Sequence, residues 1–479
     1  MLCSEKGERS GGGAAILSLW PGRSAGQAAC RTTGRRTVDA QSSVAEVSQT
    51  VDPAPETAST TVAAGHLDLP IGEAASEVLQ IESAAAIDAD FDISLGDTFT
   101  DPKLRAHFAR RTSTEPLCCH NLRDVTLDAS LMLLLRGRAR IPETRFLVGD
   151  DDYADTLVKP LPATRMDPTV RYVIGCNRAW HSYYHWLIQA IPAIDWGLRR
   201  HGRHRLALVL PPLRTWQEET LALLGYQDVA RLTLDLSGTY LFPDVEFSDF
   251  LGARMSGVAS YAAAATFQRL AAAAPWTHGA ADEIYVARTD AHTRLAENEV
   301  ELIDFLDKQG VRIIVPGTLS VAEQIAAFRA ARLVIGPHGA GMSNIAFCQP
   351  RNFVYELLPR DYPNASINRV AQSVGLNYWA DLFESRGQGD VLQQTWRIDL
   401  DIVAARLHAV RARVAATPRV ESAMSFLKRT QTAQPDDLTS PIHAAPPPAL
   451  ASAPLQPPTP LARSVRALAR LFTHGGAQQ

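Results

Sequence analysis

The spacing of apolar residues divides the middle of the chain into two parts. The first part, about residues 85–165, contains short apolar runs separated by turn residues, which predict strands. These strands are Val125–Leu127, Leu131–Leu135 and Arg145–Val148. From Arg171 onward, apolar runs of strand length alternate with amphipathic segments of helical period, a rhythm typical of a parallel sheet covered by helices.

Two groups of alternating elements are predicted after Arg171. The first group, at about 170–255, comprises Tyr172–Gly175 and Leu206–Leu210 as strands, and Ser182–Arg199 and Thr215–Leu224 as helices. Pro192 is expected to kink the first of these helices. The second group, at about 280–380, comprises the strands Ile284–Ala287, Arg312–Val315, Leu333–Ile335 and Phe353–Leu357, and the helices Glu297–Lys308, Ser320–Ala330 and Ala365–Val374. We therefore predict an α/β fold of two doubly wound lobes facing each other across a cleft, with ligands beyond the carboxyl ends of the strands.

The two ends of the chain differ in composition from the middle. Residues 1–80 are rich in Ala, Ser, Thr and Gly, which predicts a disordered leader. Residues 430–461 form a proline-rich linker, and residues 462–479 form a basic amphipathic tail. That tail is either a solvated helix or a peripheral contact with an anionic membrane surface. The predicted lobes between these ends are 85–255 and 256–420.

Charge and cysteine content argue against several classes of protein. The 47 basic and 51 acidic residues give a formal net charge of −4, so nothing favours a nucleic-acid partner. None of the six cysteines forms a CxxC pair, which disfavours a zinc site or a disulfide framework. Scattered reduced thiols are typical of a cytoplasmic protein. No stretch of the sequence approaches the ~20 apolar residues that a membrane-spanning helix needs.

The segment most informative about chemistry is Leu333-Val-Ile-Gly-Pro-His-Gly-Ala-Gly-Met-Ser-Asn-Ile-Ala-Phe347. A short apolar strand leads into small residues and then into a helix. Small residues let the backbone approach a ligand, and the N–H groups at a helix start attract anions. We expect a diphosphate there, bound by Gly336, His338, Gly339, Ala340 and Gly341. Ser343 and Asn344 follow at the helix start and could either cap the helix or bind the ligand as well. The alternative is a tight turn that needs its glycines for itself.

Two charged residues follow strands of the same group. Arg288 comes directly after Ile284–Ala287, where it can clamp a phosphate; the alternative is a surface arginine. Arg294 is a weaker candidate in the following loop. Glu356 lies near the end of Phe353–Leu357, where its carboxylate could accept hydrogen bonds from ribose hydroxyls; the alternative is a structural acid.

His185 is the candidate catalytic residue of the first group. It lies in His181-Ser-Tyr-Tyr-His-Trp-Leu-Ile-Gln189, and histidine titrates near neutrality, as a general base should. A packed, hydrogen-bonded histidine is the alternative. The spacing of His181 and His185 occurs in metal-binding helices, but no Glu follows His181 and a third ligand is missing. Asp150-Asp-Asp152 is interpreted as a solvated turn, so we predict no metal site.

Three blocks of the chain resemble glycosyltransferase family 61. They are Tyr183-Tyr-His-Trp-Leu187, Tyr285-Val-Ala-Arg288, and the stretch from Ser320-Val-Ala-Glu-Gln324 through Gly336–Asn344 to Val354-Tyr-Glu356. The resemblance covers about residues 120–385. It implies a GT-B-like fold in which the lobe 256–420 holds a nucleotide-sugar donor and the lobe 85–255 faces a glycan acceptor.

The resemblance also implies an inverting glycosyltransferase that needs no metal and no cofactor. Arg288 and His338 would neutralise the leaving diphosphate, and His185 would deprotonate the acceptor hydroxyl. Bacterial members of the family suggest cell-surface or capsular polysaccharide biosynthesis, in the cytoplasm or peripheral to the inner membrane. The sugar, the nucleotide, the acceptor and the linkage stay open.

Two other functions remain as alternatives to the transferase. A catalytically inactive scaffold of the same fold would bind partners only. An NAD-dependent oxidoreductase would need GxGxxG after the first strand of a lobe, whereas the glycine loop reads G-x-x-G-x-G after a late strand.

Overall fold

The computed structural model describes residues 68–418, except 88, 156–161, 256, 258 and 276–280. Most of the predicted leader, the proline-rich linker 430–461 and the basic tail 462–479 lie outside these residues. Residues 71–80, predicted to be part of the disordered leader, instead form the helix Ile71–Ala74 and most of the strand Ala75–Glu82. This strand is ordered because it pairs antiparallel with Leu117–Leu122, a partner that the composition of the leader could not reveal.

The C-terminal sheet has six strands, all parallel. Their spatial order is Arg312–Ile314, Glu283–Val286, Leu333–Pro337, Phe353–Pro359, Asn377–Phe383 and Ile93–Leu95. Helices packed around it are Glu299–Lys308, Val321–Ala330, Ser366–Val374 and Leu400–Ala416, with the 3-10 helix Ala340–Phe347 after its third strand. The alternation predicted for about 280–380 is confirmed.

The strand order of this sheet contains a switch point between Glu283–Val286 and Leu333–Pro337, which we call the crevice. The chain passes from Glu283–Val286 to its outer neighbour Arg312–Ile314 and then crosses back to Leu333–Pro337. The connections after Glu283–Val286 and Leu333–Pro337 therefore leave the sheet in opposite directions. In open parallel sheets, ligands bind at such a point, beyond the carboxyl ends of the two strands.

Burial explains why these strands show no apolar–polar alternation. Every residue of Leu333–Pro337, Phe353–Pro359 and Asn377–Phe383 is buried, because helices cover both faces of the sheet. The edge strand Ile93–Leu95 comes from the segment predicted as the N-terminal lobe, yet it pairs with Asn377–Phe383. The long sequence separation of the two strands hides this pairing from any local pattern.

The N-terminal part contains a six-stranded and a five-stranded sheet. The first consists, in spatial order, of Ala75–Glu82, Leu117–Leu122, Val245–Ser248, Arg171–Ile174, Leu206–Leu210 and Arg231–Thr233. The second consists of Ala139–Arg140, Leu133–Arg136, Val125–Asp128, Thr239–Phe242 and Thr164–Arg165. The helices of eight or more residues in this part are Pro102–Ala109, Ile191–His201, Thr215–Leu223 and Tyr261–Ala273. Within the first sheet, the last four strands pair in parallel, as the predicted alternation of strands and helices requires.

One local prediction in this part is wrong, and another is refined by the structure. Arg145–Val148 is a loop after the 3-10 turn Pro142–Thr144, because the Arg145 guanidinium donates to the carbonyl of Val148 at 2.8 and 3.0 Å and closes the segment on itself. Asp150-Asp-Asp152 is exposed, as predicted for a solvated turn, and forms the first turn of a short helix, Asp150–Asp155. Acidic residues favour such a position because the helix dipole is positive there.

The helix predicted over Ser182–Arg199 contains a π-helical turn. One α-turn, Tyr183–His185, leads into the π-helix Trp186–Ala190, and the α-helix Ile191–His201 follows. Pro192 has no N–H to donate and its ring would clash with the carbonyl four residues earlier. The π turn lies directly before Pro192, and both features are places where a helix departs from regular α-helical geometry. The turn that carries His185 therefore directly precedes an irregular segment.

Within the described residues, no helix is both long and apolar enough to cross a membrane. Cys118, Cys119, Cys176 and Cys348 are free thiols, as expected from their spacing.

Candidate active site

Arg288 lies at the crevice of the C-terminal sheet, just past the strand Glu283–Val286. Its Nη1 donates to the carbonyl of His338 at 2.9 Å and its Nη2 donates to that of Thr293 at 3.1 Å. The Glu299 carboxylate accepts the backbone N–H of Arg288 at 2.6 Å rather than the guanidinium. Burial, reinforced by Arg294, lowers the pKa of Arg288 to about 10, so it stays charged at neutral pH. The guanidinium is thus held in place by neutral carbonyls.

Arg294 supplies a second cation at this crevice. Its guanidinium carbon lies 4.6 Å from the centre of the Tyr362 ring, and its Nε is buried without a hydrogen-bond partner. Burial lowers the pKa of Arg294. Leaving a buried N–H unpaired costs about 1–3 kcal/mol, so an acceptor from a ligand would be stabilising. The sequence ranked Arg294 below Arg288, whereas the structure places both in one cluster.

His338 ends the strand Leu333–Pro337 and contacts the same cluster. Its Nδ1 lies 2.7 Å from Oε1 of Glu356, and its ring centre lies 5.6 Å from that of Tyr362. Burial lowers the pKa of His338; Glu356 opposes this effect, and Arg294 and Arg288 add to it. His338 is therefore placed where the sequence predicted a phosphate ligand.

Glu356 does not face the crevice. Its side chain is fully buried, and its oxygens accept hydrogen bonds from His338 and from the hydroxyl of Tyr378. The predicted contact with ribose hydroxyls is therefore corrected: both oxygens are already engaged inside the protein. Glu356 orients His338 instead. Tyr378 lies on the neighbouring strand and could not be connected with Glu356 before strand order was known.

The glycines of the loop are needed mainly for packing. A Cβ on Gly339 would lie 2.7 Å from Nε of Arg288, and one on Gly336 would lie 2.6 Å from Sδ of Met342. A Cβ on Gly341 would approach Pro316 to 3.1 Å. The space beside these residues is therefore filled by protein, although the sequence predicted that a ligand would occupy it. Gly339 matters to the site because any side chain there would displace Arg288.

The start of the 3-10 helix Ala340–Phe347 remains accessible. Ala340 is exposed and Gly341 is half-buried. The first backbone bond of this turn runs from the N–H of Met342 to the carbonyl of Gly339 at 3.0 Å, so the N–H groups of Ala340 and Gly341 precede the helix's own hydrogen bonds. These two donors are the part of the loop that fits the predicted anion site.

Ser343 and Asn344 are fully buried, and both side chains form hydrogen bonds within the protein. The hydroxyl of Ser343 donates to the carbonyl of Ala340 at 2.5 Å. Asn344 is fully buried, donates to Oε1 of Gln324 at 2.8 Å and accepts from the hydroxyl of Tyr183 at 2.6 Å. Their predicted role as ligands or caps is corrected, since intramolecular bonds occupy their side chains. Asn344 instead joins the segment of His185 to the C-terminal sheet region.

His185 is half-buried at the end of the turn Tyr183–His185. Its Nδ1 lies 2.7 Å from Oε1 of Gln189, and its ring packs edge-to-face with that of Phe146 at 5.1 Å. Burial lowers the pKa of His185 to about 4; the Gln189 bond opposes the decrease and His181 adds to it. The imidazole is therefore neutral at physiological pH.

The contacts of Gln189 determine which nitrogen of His185 carries the hydrogen. The Gln189 amide nitrogen donates to the carbonyls of Phe250 at 2.9 Å and Gly252 at 3.2 Å, so its oxygen must face His185. An amide oxygen only accepts, so Nδ1 of His185 donates and Nε2 holds the lone pair. Among the described residues Nε2 has no hydrogen-bond partner. Nε2 is thus available to accept a proton.

Contacts bring His185 and the cationic cluster to the same region. The turn Tyr183–His185 contacts the helix Ala340–Phe347, and the Tyr183–Asn344 bond connects them. Tyr184 also interacts electrostatically with Glu356 and Tyr362. The turn that carries His185 therefore packs against the helix that begins at the predicted anion site.

We expect His185 to titrate near pH 4 in the folded protein instead of near 6.5. Between these values the unfolded chain binds more protons than the folded one, so His185 should destabilise the fold as pH drops from about 6.5 to 4, with no further effect below. Histidine ring NMR and the pH dependence of unfolding of His185→Gln relative to the unmodified protein measure this. A ring that titrates at its ordinary value would contradict the buried environment.

The described part of the chain contains no group of three or more His, Cys, Asp or Glu side chains that could hold a metal ion. Metal independence itself stays a prediction.

The family comparison matches the segment that carries these contacts. The family model described as Glycosyltransferase 61 matches residues 183–355, from Tyr183 to the residue before Glu356. A comparison with curated proteins finds no match. The family indicates a glycosyltransferase with donor and acceptor substrates. The match confirms the assignment made from the sequence motifs: the chain carries a glycosyltransferase family 61 region over residues 183–355.

Proposed function

We propose that this protein transfers a sugar from a nucleotide-sugar donor to a glycan acceptor, with inversion at the anomeric carbon and without a metal ion. The proposal rests on the family match together with one observation. Arg288 and Arg294 lie in one crevice without an ion pair to any described carboxylate, and Nε of Arg294 is buried and unpaired. Buried cations without a direct ion pair, next to accessible helix N–H groups, are suited to bind a diphosphate.

The diphosphate is the leaving group of the proposed reaction. Negative charge develops on it as the bond to the anomeric carbon breaks, and charges already in place stabilise that change without reorganising. Arg288, Arg294 and the N–H groups of Ala340 and Gly341 supply this stabilisation, and His338 would add to it only in its protonated form. Arg288 is preorganised by its bonds to the carbonyls of His338 and Thr293.

His185 acts as the general base. Its Nε2 takes the proton of the acceptor hydroxyl while the oxygen attacks the anomeric carbon from the face opposite the diphosphate. A strong base is not required, because the proton moves as the hydroxyl becomes acidic in the transition state. Gln189 keeps the tautomer in which Nε2 can accept.

In this proposal the two parts of the chain form a GT-B-like pair of lobes, with acceptor chemistry on the N-terminal side and the donor on the C-terminal side. The crevice between Glu283–Val286 and Leu333–Pro337 supports the donor side. We place the reaction in cell-surface or capsular polysaccharide biosynthesis in the cytoplasm, with the basic tail 462–479 as a peripheral membrane contact.

A nucleotide diphosphate should stabilise the folded protein in the presence of a chelator. At a ligand concentration about 100 times Kd, the expected gain is about 2.7 kcal/mol of unfolding free energy. Thermal unfolding with UDP, GDP and CMP compounds measures it, and the matching nucleosides without phosphate are the control. The absence of a shift with every nucleotide, in a folded sample, would contradict the proposal.

Donor hydrolysis separates the transferase from an inactive scaffold of the same fold. A scaffold could bind a nucleotide-sugar but would not release its sugar, whereas the proposed enzyme should hydrolyse its own donor slowly when no acceptor is present. A screen of nucleotide-sugars would also identify the donor.

A further inference from the structure

We infer that His338 takes up one proton from solvent when the diphosphate of the donor binds, and that Glu356 is the positioning residue that holds the ring for this step. The inference rests on the proposed function, because it needs a diphosphate in the crevice. It assigns to Glu356 a role different from the predicted ribose contact.

The geometry around Glu356 fixes the orientation of the His338 ring. Glu356 is fully buried and accepts from the hydroxyl of Tyr378, so its carboxylate is the acceptor for Nδ1–H of His338 at 2.7 Å. Nε2 lies on the other side of the ring and has no hydrogen-bond partner among the described residues. His338 is 6% exposed, so a ligand oxygen that reaches Nε2 would supply the acceptor that no described residue provides.

The charges around His338 oppose its protonation before a ligand binds. Arg288 contacts the His338 carbonyl at 2.9 Å, and Arg294 lies over the Tyr362 ring that packs against His338. Both arginines and burial lower the pKa of His338, and Glu356 only partly compensates. Tyr378 and Tyr184 also interact with Glu356, and burial raises the pKa of both tyrosines, so both stay neutral. Glu299, Tyr285 and Asp290 act on Arg288 and favour its charged form.

A bound diphosphate should favour the protonated form of His338. Its negative charge neutralises Arg288 and Arg294, and one of its oxygens offers an acceptor opposite Nε2. The imidazolium then donates from Nδ1 to Glu356 and from Nε2 to the phosphate, and both are charge-assisted hydrogen bonds. One proton moves from solvent to Nε2 and no covalent bond changes. By linkage, donor affinity should increase as pH falls through neutrality.

Calorimetric titration in two buffers of different ionisation enthalpy tests the inference. The probe is UDP-glucose or GDP-mannose, whichever gives the larger thermal shift, because the phosphodiesters of a nucleotide-sugar do not titrate near neutrality. At about pH 7.5 the heats should differ between buffers by an amount that corresponds to net uptake of up to one proton per bound donor.

Variants identify the group that takes up the proton. His338→Gln keeps an N–H donor that does not titrate, so it should still bind but without proton uptake. Glu356→Gln should reduce the uptake, and Tyr378→Phe provides a milder change if Glu356→Gln does not fold. His201→Asn is the matched control: His201 forms a similar pair with Glu246 at 2.7 Å on the N-terminal sheet, so its loss should leave the uptake unchanged.

Binding without buffer-dependent heat in the unmodified protein would overturn the inference and leave the proposed function standing. Full uptake in His338→Gln would do the same. No binding of either nucleotide-sugar, together with no thermal shift by any nucleotide, would instead contradict the proposed function.

Discussion

Replacement of His185 by alanine should lower the rate of sugar transfer by about 10²–10⁴-fold, the range that a general base contributes. Nucleotide binding should be unchanged, because His185 lies on the turn Tyr183–His185 and not at the cationic cluster. Transfer kinetics and the nucleotide-induced thermal shift, measured on the same preparation, separate the two effects.

Two further variants test whether the tautomer of His185 matters and whether the effect is specific to this histidine. Gln189→Leu removes the acceptor that fixes the tautomer of His185, so it should reduce kcat more than it changes KM. His204→Ala changes an exposed histidine and should have no effect. Full transfer activity in His185→Ala would show that another group takes the proton.

Replacement of Arg288 by alanine should abolish the stabilisation by nucleotide diphosphate. A hydrogen bond between charged groups contributes about 1.5–3 kcal/mol, and Arg288 can offer a diphosphate more than one such bond. Arg294→Ala should also weaken binding, since its buried Nε would lose its expected acceptor. Thermal shift against nucleotide concentration measures both. Arg288→Lys should give an intermediate result because an ammonium keeps the charge without the planar fork.

Arg231→Ala is the control for these arginine variants. Arg231 pairs with Glu218 at 2.7 Å on the N-terminal side, and such partly exposed pairs contribute about 0–1 kcal/mol. Its loss should leave the nucleotide-induced shift intact. An undiminished shift in the double variant Arg288→Ala with Arg294→Ala would place the nucleotide elsewhere.

Several features of this protein follow from local sequence. The capping box of Ser320 and Glu323 forms as predicted, because both partners lie within one helical turn. The strand Leu206–Leu210 has the predicted bounds, since a continuous apolar run suits a strand covered on both faces. Arg288 and His338 follow their strands directly, so strand direction alone placed them at the carboxyl edge of the sheet.

Other features depended on contacts between distant segments. Glu356 resembled a ribose ligand because it lies near a strand end, but Tyr378 on the next strand and His338 occupy its oxygens. Asn344 resembled a cap, but Tyr183, 161 residues earlier, engages its side chain. The sequence provided only weak evidence that Arg294 belongs to the site. Its unpaired Nε and its contact with Tyr362 both depend on residues that are distant in the chain.

By itself, the sequence determined the alternation of strands and helices after Arg171 and the family 61 match over residues 183–355, because both depend on residues close together in the chain. Only the tertiary structure decided which polar side chains are engaged inside the protein and which remain available to a ligand. Hydrogen bonding of a buried group depends on whichever atoms the fold brings within about 3 Å, and most of those atoms lie far away in sequence.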